Sequence, residues 1–218
     1  MPALPLFPLG ETLLPGRRLP LQIFEERYVA LLQHLIDSQG EQTGFGVVAI
    51  RHGYEVGDRA NELESIGCLA VLDRMAEVAD HFYVVITHGT RRFRVDAIDE
   101  TAGTPWTTAQ VTWLHDVPGD AATTTRQAAA LRAAVVSHSR AVGIDPPDPP
   151  VPPDDPADIA WWAAEALDLD RDDRQRLLEL PEVTARLGLV LRLARRETEL
   201  ASRLGVAGGT VSAPPNLN

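Results

Sequence analysis

Prolines interrupt the apolar amino-terminal segment of the chain at short intervals, at positions 2, 5, 8, 15 and 20. Because proline fixes its own φ angle and lacks the donor of a strand ladder, it belongs at strand edges, turns and crossings. The segment is therefore predicted to form an interrupted edge strand, with a turn at Pro15-Gly16. A flexible tail is the weaker interpretation, because large apolar side chains stand between the prolines.

A helix is predicted to begin near Glu25, where the proline-rich segment ends. Apolar residues then recur three and four positions apart, as on one face of a helix, at Tyr28, Leu31, Leu32, Leu35 and Ile36. Gly40 is a suitable stop, because glycine accepts the left-handed conformation without a Cβ clash. Phe24 and Tyr28 stand where the strand passes into the helix, and both are expected to be buried.

Short apolar and β-branched runs between Gly46 and Leu114 predict a sheet. The predicted strands cover residues 46–50, 67–74, 81–87, 91–98 and 107–114, with a polar loop over residues 51–63. A hairpin turn is predicted at His88-Gly89-Thr90. About six short strands with one inserted helix predict a small closed or partly closed β-barrel.

The composition changes beyond Pro118, where alanine, leucine and arginine become frequent. Helices are predicted over residues 121–142, from Asp155-Pro156 onward, from a cap at Asp170 or Asp172, and from Glu182 to Gly205. The prolines and aspartates of residues 144–156 predict a stiff acidic connector. The fold class is therefore α+β, with a β-barrel subdomain over residues 1–116, a helical subdomain over residues 121–205 and a flexible tail over residues 206–218.

Three motifs of the chain occur in the same order in a known family. They are the proline segment with Pro8, Pro15, Gly16, Pro20, Phe24, Glu25, Arg27 and Tyr28, the strand motif with Gly67, Gly89, Arg92 and Phe93, and the helical residues 177–200. Together they resemble the amino-terminal, substrate-binding domain of Lon proteases over nearly the whole chain. The resemblance implies a PUA-like barrel with a helical subdomain beside it, and it marks the motif residues as structural.

The chain contains no lysine, so arginine alone carries its positive side-chain charge. A Schiff-base lysine, a phosphate-loop lysine and a Ser-Lys dyad are therefore excluded. Lon proteases carry an ATPase domain and a Ser-Lys protease domain, and neither activity can reside in this chain. The resemblance therefore implies a stand-alone, non-catalytic member of the family. A GC-rich genome would also explain the missing lysines without changing that exclusion.

The net charge of −11 disfavours nucleic acid as a partner, because contacts to the phosphate backbone dominate nucleic-acid affinity. Arg92 and Arg94 are interpreted as lying on a solvated strand face, with Phe93 on the other face. No apolar run approaches the roughly 20 residues that span a bilayer, and the start lacks the features of a secretory signal. A soluble, cytoplasmic protein without a membrane partner is expected.

No catalytic, cofactor or metal site is predicted from the sequence. The six histidines are scattered without the spacing of metal ligands, and no serine stands in a nucleophile motif. The single Cys68 is expected in the core. Glu25 is interpreted as an anchor of the helix entry, where the dipole favours a carboxylate. An acid-base role is the weaker alternative, because no second carboxylate of matching context accompanies it.

Trp161 and Trp162 are the candidate polypeptide contacts, with Tyr28 as a third. Neighbouring residues of a helix point about 100° apart, so one of the two indoles is expected at the surface. Core packing is the default for each, whereas a partly exposed aromatic side chain beside a groove suits an apolar peptide. The sequence leaves both interpretations open.

The family resemblance implies a module that recognises unfolded or degron-bearing polypeptide and assists proteolysis or protein quality control, with a protease as a further candidate partner. The apolar surface between barrel and helices is the expected contact region. The alternative is an enzyme or small-molecule-binding module on a related barrel. A deep polar pocket with a perturbed carboxylate would favour that alternative, and a shallow apolar groove would favour polypeptide binding.

Overall fold

Strands come first along the chain and helices follow, with one helix inserted among the strands. The computed structural model describes residues 2–37, 44–52, 62–143 and 151–204. In those ranges the strands are β1 (Ala3–Leu9), β2 (Arg18–Ile23), β3 (Gly44–His52), β4 (Glu62–Leu63), β5 (Ile66–Ala79), β6 (Phe82–Ile98) and β7 (Thr108–Trp113). The helices are α1 (Glu26–Asp37), α2 (Ala121–Ala141), α3 (Pro156–Ala166), α4 (Arg171–Glu179) and α5 (Val183–Leu204). This succession confirms the predicted α+β class.

Strand β1 closes the sheet into a barrel. Its first residues, Ala3–Pro5, pair antiparallel with β7, and its later residues, Leu6–Leu9, pair parallel with β3. The strand order β1-β7-β6-β5-β3 therefore returns to β1. The prediction of an edge strand is wrong, because β1 has a partner on each side in turn. Among the described strands, each half of β1 pairs on one side only, so the missing donor of a proline costs no ladder bond on the other side.

Strands β5 and β6 form a long hairpin that extends beyond the closed part of the sheet. They are joined at Asp80-His81, where His81 has a φ of 56°, and β2 pairs with the first half of β6. The predicted hairpin turn at residues 88–90 is wrong, since β6 runs without interruption from Phe82 to Ile98. Gly89 serves a close approach instead of a turn: a Cβ at this position would lie 2.2 Å from the carbonyl oxygen of Leu14.

The core fills the barrel and continues into the helices. Phe93 of β6 is fully buried and pairs with Gly67 of β5, where a Cβ would lie 2.6 Å from the Phe93 ring. Both residues of the strand motif therefore have a packing role. A larger apolar cluster joins α1 and the sheet to the helical part; it includes Phe7, Tyr28, Phe45, Leu131, Trp161, Leu187 and Val190.

Aspartates cap three of the four described helices that follow the sheet, α2, α3 and α4. Asp120 accepts a hydrogen bond from the backbone of Thr123, Asp155 from that of Ala157, and Asp170 from that of Asp173. Asp170 is therefore the cap among the two predicted candidates. Gly40, Gly205, most of the predicted connector over residues 144–156 and the predicted tail over residues 206–218 lie outside the described residues. The division into subdomains at residues 116 and 121 stays a prediction.

Phe24 and Tyr28 have different environments, although both were expected to be buried. The Tyr28 ring is stacked on Phe7 at a centroid distance of 4.0 Å and is 5% exposed. Phe24 is 48% exposed and stacks on Phe82 at 6.3 Å, so its predicted burial is wrong. It precedes the helix and has no place on the apolar face that buries Tyr28. Between them, Glu25 and Arg27 form an ion pair of 2.7 Å.

Candidate functional site

A groove of about 600 Å³ lies between the barrel and helix α3. One wall comes from the turn at Pro15–Arg17 and from Thr90 of β6, and the other from α3. A smaller, more polar pocket of about 240 Å³ adjoins it and shares Pro15, Thr90, Asp158 and Trp161 with the groove. The two together form a continuous depression at the contact between barrel and helices.

Backbone hydrogen bonds hold the barrel wall of the groove. The amide of Arg17 donates to the carbonyl of Leu14 at 3.2 Å, and Gly16 has a φ of 80°, so the predicted turn at Pro15-Gly16 is confirmed. The amide of Gly16 donates to the carbonyl of Gly89 at 2.8 Å, and the amide of Gly89 donates to the carbonyl of Arg17 at 2.9 Å. Residues of two distant sequence motifs therefore meet in one wall.

One face of α3 forms the opposite wall. Asp158, Trp161, Trp162, Glu165 and Ala166 all line the groove, and their spacing of three and four positions places them on one side of the helix. Trp161 is 5% exposed, whereas Trp162 is only partly buried. The structure thus brings both tryptophans to the groove, the first as part of its floor and the second with a larger accessible surface.

A buried ionic cluster lies behind Trp161. The guanidinium of Arg186, from α5, is 4.6 Å from the centre of the indole and donates to both carboxylate oxygens of Asp116, the Nη1–Oδ1 distance being 2.8 Å. Arg92 also donates to Asp116 at 2.7 Å and to the carbonyls of Leu178 and Leu180. We refer to Arg92, Asp116 and Arg186 as the buried cluster, in which both arginines are buried and the Asp116 side chain is 37% exposed.

The buried cluster corrects the prediction that Arg92 lies on a solvated face. Arg92 is 3% exposed and Arg186 is fully buried, because the chain around Leu178 and Leu180 covers this part of β6. Burial lowers the pKa of Arg186, and the neighbouring Asp116 acts in the opposite direction. One feature of the sequence indicates that Arg186 is buried: its position falls on the same face of α5 as the apolar Val183, Leu187 and Val190.

Asp158 lies in the first turn of α3 and faces both pockets. Burial raises the pKa of its carboxyl, the charges of Asp155 and Asp116 raise it further, and Arg186 partly opposes them. No other described residue forms a hydrogen bond or an ion pair with this carboxylate, and the side chain is exposed to solvent. Sequence reasoning missed Asp158, whose signal was its spacing of three and four positions from the two tryptophans.

The other charged groups of the groove are paired. Nη1 of Arg17 lies 2.7 Å from Oε2 of Glu11, and Nε of Arg17 lies 3.1 Å from Oε2 of Glu165. The Arg91 guanidinium lies 4.5 Å from the centre of the Trp113 ring. Tyr28, the third predicted polypeptide contact, is buried against Phe7 and does not line the groove.

Other reactive groups offer no chemistry in the described part of the chain. Cys68 is fully buried, and burial raises the pKa of its thiol to about 12, so it stays protonated and unreactive. Among the described residues, no three His, Cys, Asp or Glu side chains are grouped as metal ligands would be. No helix in these ranges is long and apolar enough to cross a membrane.

Comparison with known proteins gives one consistent family. Residues 3–196 match the ATP-dependent protease La (LON) substrate-binding domain. A Lon protease of Anaeromyxobacter dehalogenans is 25% identical over 205 residues, and Lon protease 2 of Myxococcus xanthus is 26% identical over 205 residues. These matches cover 90% of this chain but 23% and 24% of the relatives. The chain thus spans about a quarter of the length of these curated relatives.

Solved structures agree with the sequence matches. The crystal structure of a Lon N-terminal domain protein from Xanthomonas campestris superposes with a TM-score of 0.63 at 25% identity, covering 88% of this chain and 98% of that one. The N-terminal domain of a Mycobacterium avium complex Lon protease has the same fold, with a TM-score of 0.58 at 20% identity, 91% of this chain and 98% of that one being covered. The chain belongs to the family of LON substrate-binding domains.

Proposed function

We propose that this chain is a non-catalytic polypeptide-binding module, which recognises unfolded or degron-bearing segments and assists their proteolysis. The observation that carries the proposal is the groove between barrel and α3, in which Trp161 and Trp162 stand opposite a turn fixed by backbone hydrogen bonds. Aromatic side chains offer a large contact area at a low entropic cost, and they suit ligands of varied sequence.

The shape and lining of the groove favour a chain segment over a small molecule. Pro15, Pro153, Trp161, Trp162 and Ala166 supply apolar surface on both walls, and the adjoining pocket extends the depression along β6. A polypeptide in extended form can follow such a path and place successive side chains in both parts. Its affinity is expected to be about micromolar, the scale of a modest interface.

The raised pKa of Asp158 favours the alternative, an enzyme or small-molecule-binding module on a related barrel. Acid-base catalysis normally uses a second group held in a different environment. The nearest described candidates are already engaged, because Glu165 pairs with Arg17 and Asp116 is enclosed between two arginines. A non-catalytic role therefore accounts better for the groove. Reproducible ATP or peptide turnover by the purified chain would contradict this part of the proposal.

Fluorescence anisotropy with a labelled, reduced and carboxymethylated polypeptide tests the binding proposal. Replacing Trp162 by alanine is expected to weaken binding at least about tenfold, as for a central aromatic contact. Some stability is lost as well, because Trp162 also packs against the core, so the control has to be a tryptophan with similar packing. Trp106→Ala is the matched control: Trp106 is also partly buried, but it packs beside His34 at 5.2 Å and does not line the groove. Equal loss in both variants, or no binding to the parent chain, would contradict the proposal.

The protease that would receive the bound polypeptide is part of the same proposal. Capture with the native chain and with the Trp162→Ala variant, followed by mass spectrometry, separates polypeptides held in the groove from partners held elsewhere. A protease is expected with both baits, whereas groove ligands are expected with the native chain alone. The cytoplasmic location expected from the sequence stays a prediction.

A further inference from the structure

The groove contains one carboxylate, that of Asp158, with which no described residue forms a hydrogen bond or an ion pair, and Arg186 offsets its charge only in part and through space. Arg17 is shared between Glu11 and Glu165, and Asp116 is shared between Arg92 and Arg186. Asp158, which faces the groove beside both tryptophans, makes no comparable contact in the described ranges. The Asp158 side chain is also exposed to solvent, so its carboxylate is available to pair with a cation that a ligand brings into the groove.

Stabilisation of helix α3 is the alternative role for Asp158. A carboxylate in the first turn of a helix interacts favourably with the helix dipole, typically by about 0.3–1 kcal/mol. In α3, however, Asp155 already accepts the hydrogen bond from the amide of Ala157 at 2.8 Å. The carboxylate of Asp158 accepts no backbone hydrogen bond in the part of the chain that the structure describes. The helix therefore explains a carboxylate at this position less well than the groove does.

The surroundings of Asp158 suit a cationic side chain. Trp161 and Trp162 follow it at three and four positions along α3, so a side chain that reaches the carboxylate also passes the indoles. Cations bind the faces of tryptophan rings, and a guanidinium does so most readily because it can also stack. Of the three arginines that line the depression, Arg17 and Arg92 are paired with other carboxylates and Arg91 lies over Trp113.

We infer that the groove selects polypeptide segments in which a basic residue, arginine above all, lies next to an apolar one. The apolar side chain contacts Trp162 and Pro15, and the basic side chain pairs with Asp158. The inference rests on the proposed function and adds a charge preference to it. The net charge of −11 acts in the same direction over longer distances, since it attracts basic segments and repels acidic ones.

Three labelled peptides of equal length test this preference. They share one flexible apolar sequence containing a leucine and a phenylalanine, and the next position carries arginine, glutamine or glutamate. Anisotropy titrations of the native chain are expected to show the arginine peptide binding about tenfold tighter than the glutamine peptide, with the glutamate peptide weakest. Asp158→Asn is expected to remove most of the difference between the arginine and the glutamine peptides.

The control variant is Asp154→Asn, which alters the net charge equally. Asp154 is exposed and does not line the groove, so this variant is expected to keep the full preference for arginine. Equal binding of the three peptides by the native chain would overturn the charge preference and leave the proposed function standing. So would a preference that survives in Asp158→Asn or disappears in Asp154→Asn. Failure of all three peptides to bind would overturn the proposed function and this inference together.

Discussion

Two charged regions lie close to Trp161, and they differ in whether their side chains have direct partners within the chain. In the buried cluster, two arginines enclose Asp116, and carbonyl oxygens accept the remaining hydrogen bonds of Arg92. In the groove, no described residue donates a hydrogen bond to the Asp158 carboxylate or forms an ion pair with it, and Arg186 offsets its charge only through space. The cluster therefore belongs to the fold, because its three charged side chains contact one another directly, although two guanidinium groups share a single carboxylate. The groove carboxylate has no direct partner among the described residues, which is why we assign it to recognition.

The two regions also differ in what they connect. Arg92 comes from the barrel, Asp116 from the segment that leaves it and Arg186 from the last helix, so the cluster joins the two halves of the molecule. Replacing such a cluster by apolar residues is often neutral, but removing one member leaves unbalanced charge in the interior. Asp158 connects nothing and can be neutralised without breaking any contact that the structure describes.

The largest expected effect follows from removing the anion of the buried cluster. Asp116→Ala leaves Arg92 and Arg186 side by side, both almost inaccessible to water. We expect a loss of about 2–4 kcal/mol in the free energy of unfolding, less than for a fully buried ion pair because the Asp116 side chain is 37% exposed. Urea denaturation measures it. Asp154→Ala is the control and is expected to change the stability by less than about 0.5 kcal/mol. Equal stability of the two variants would show that the cluster does not hold the halves together.

The barrel wall of the groove gives the next largest effect. Gly89→Ala would place a Cβ 2.2 Å from the carbonyl oxygen of Leu14, so the turn at Pro15-Gly16 has to move, at a cost of about 1–3 kcal/mol. Gly188→Ala is the matched control, because Gly188 lies inside α5 and its nearest Cβ contact would be 3.4 Å away. That change is expected to stabilise the chain by about 0.5–1 kcal/mol. Thermal unfolding of both variants distinguishes the two roles of glycine.

Gly89 and Arg92 show why the sequence predicted some of this arrangement and missed the rest. A glycine between two β-branched runs indicates a turn as readily as a close approach, and only the position of Leu14, seventy-odd residues earlier, decides between them. Arg92 alternates with the buried Phe93, and alternation predicts a solvated face unless another element covers it. Here the chain near Leu178 covers it. Both errors concern contacts between parts of the chain that are distant in sequence.

The predictions that succeeded depend on local physics. The periodicity around Tyr28, the turn at Pro15-Gly16 and the caps of the later helices are each set by neighbouring residues, and each agrees with the structure. The tryptophan pair was recognised as a candidate contact, and both indoles line the groove. For the barrel wall of the groove, the sequence offered only the proline motif that contains Pro15 and Gly16. Asp158 could not be selected from many aspartates until the fold placed it beside Trp162.

A smaller effect is expected from removing Arg17, the cation that forms ion pairs with Glu11 and Glu165. Arg17→Gln removes the cation between Glu11 and Glu165, which are 41% and 50% exposed, so the stability should change by less than about 1 kcal/mol. The groove, however, gains a second unpaired carboxylate. Titration with the arginine peptide is therefore expected to show tighter binding than to the native chain, and the glutamine peptide should bind equally to both. Weaker binding of the arginine peptide would contradict the role assigned to groove carboxylates.

The smallest expected change in stability has the opposite sign. The raised pKa of Asp158 means that ionisation costs more in the folded chain than in the unfolded one. Its protonation therefore stabilises the fold fully below the unfolded pKa, and that contribution is lost as the pH rises through the folded pKa. Asp158→Asn should accordingly raise the melting temperature slightly at pH 7, and the gain should shrink as the pH falls toward about 4, the usual value for aspartate.

Because the same variant is expected to lose the preference for arginine, stability and recognition should move in opposite directions at this one position. Such a trade-off is typical of a group that is kept for binding. Melting curves of the native chain and of Asp158→Asn, taken at several pH values between 7 and 4.5, measure it. A variant that melts below the native chain at pH 7 would show that the carboxylate stabilises helix α3. That result would contradict the assignment of Asp158 to ligand recognition.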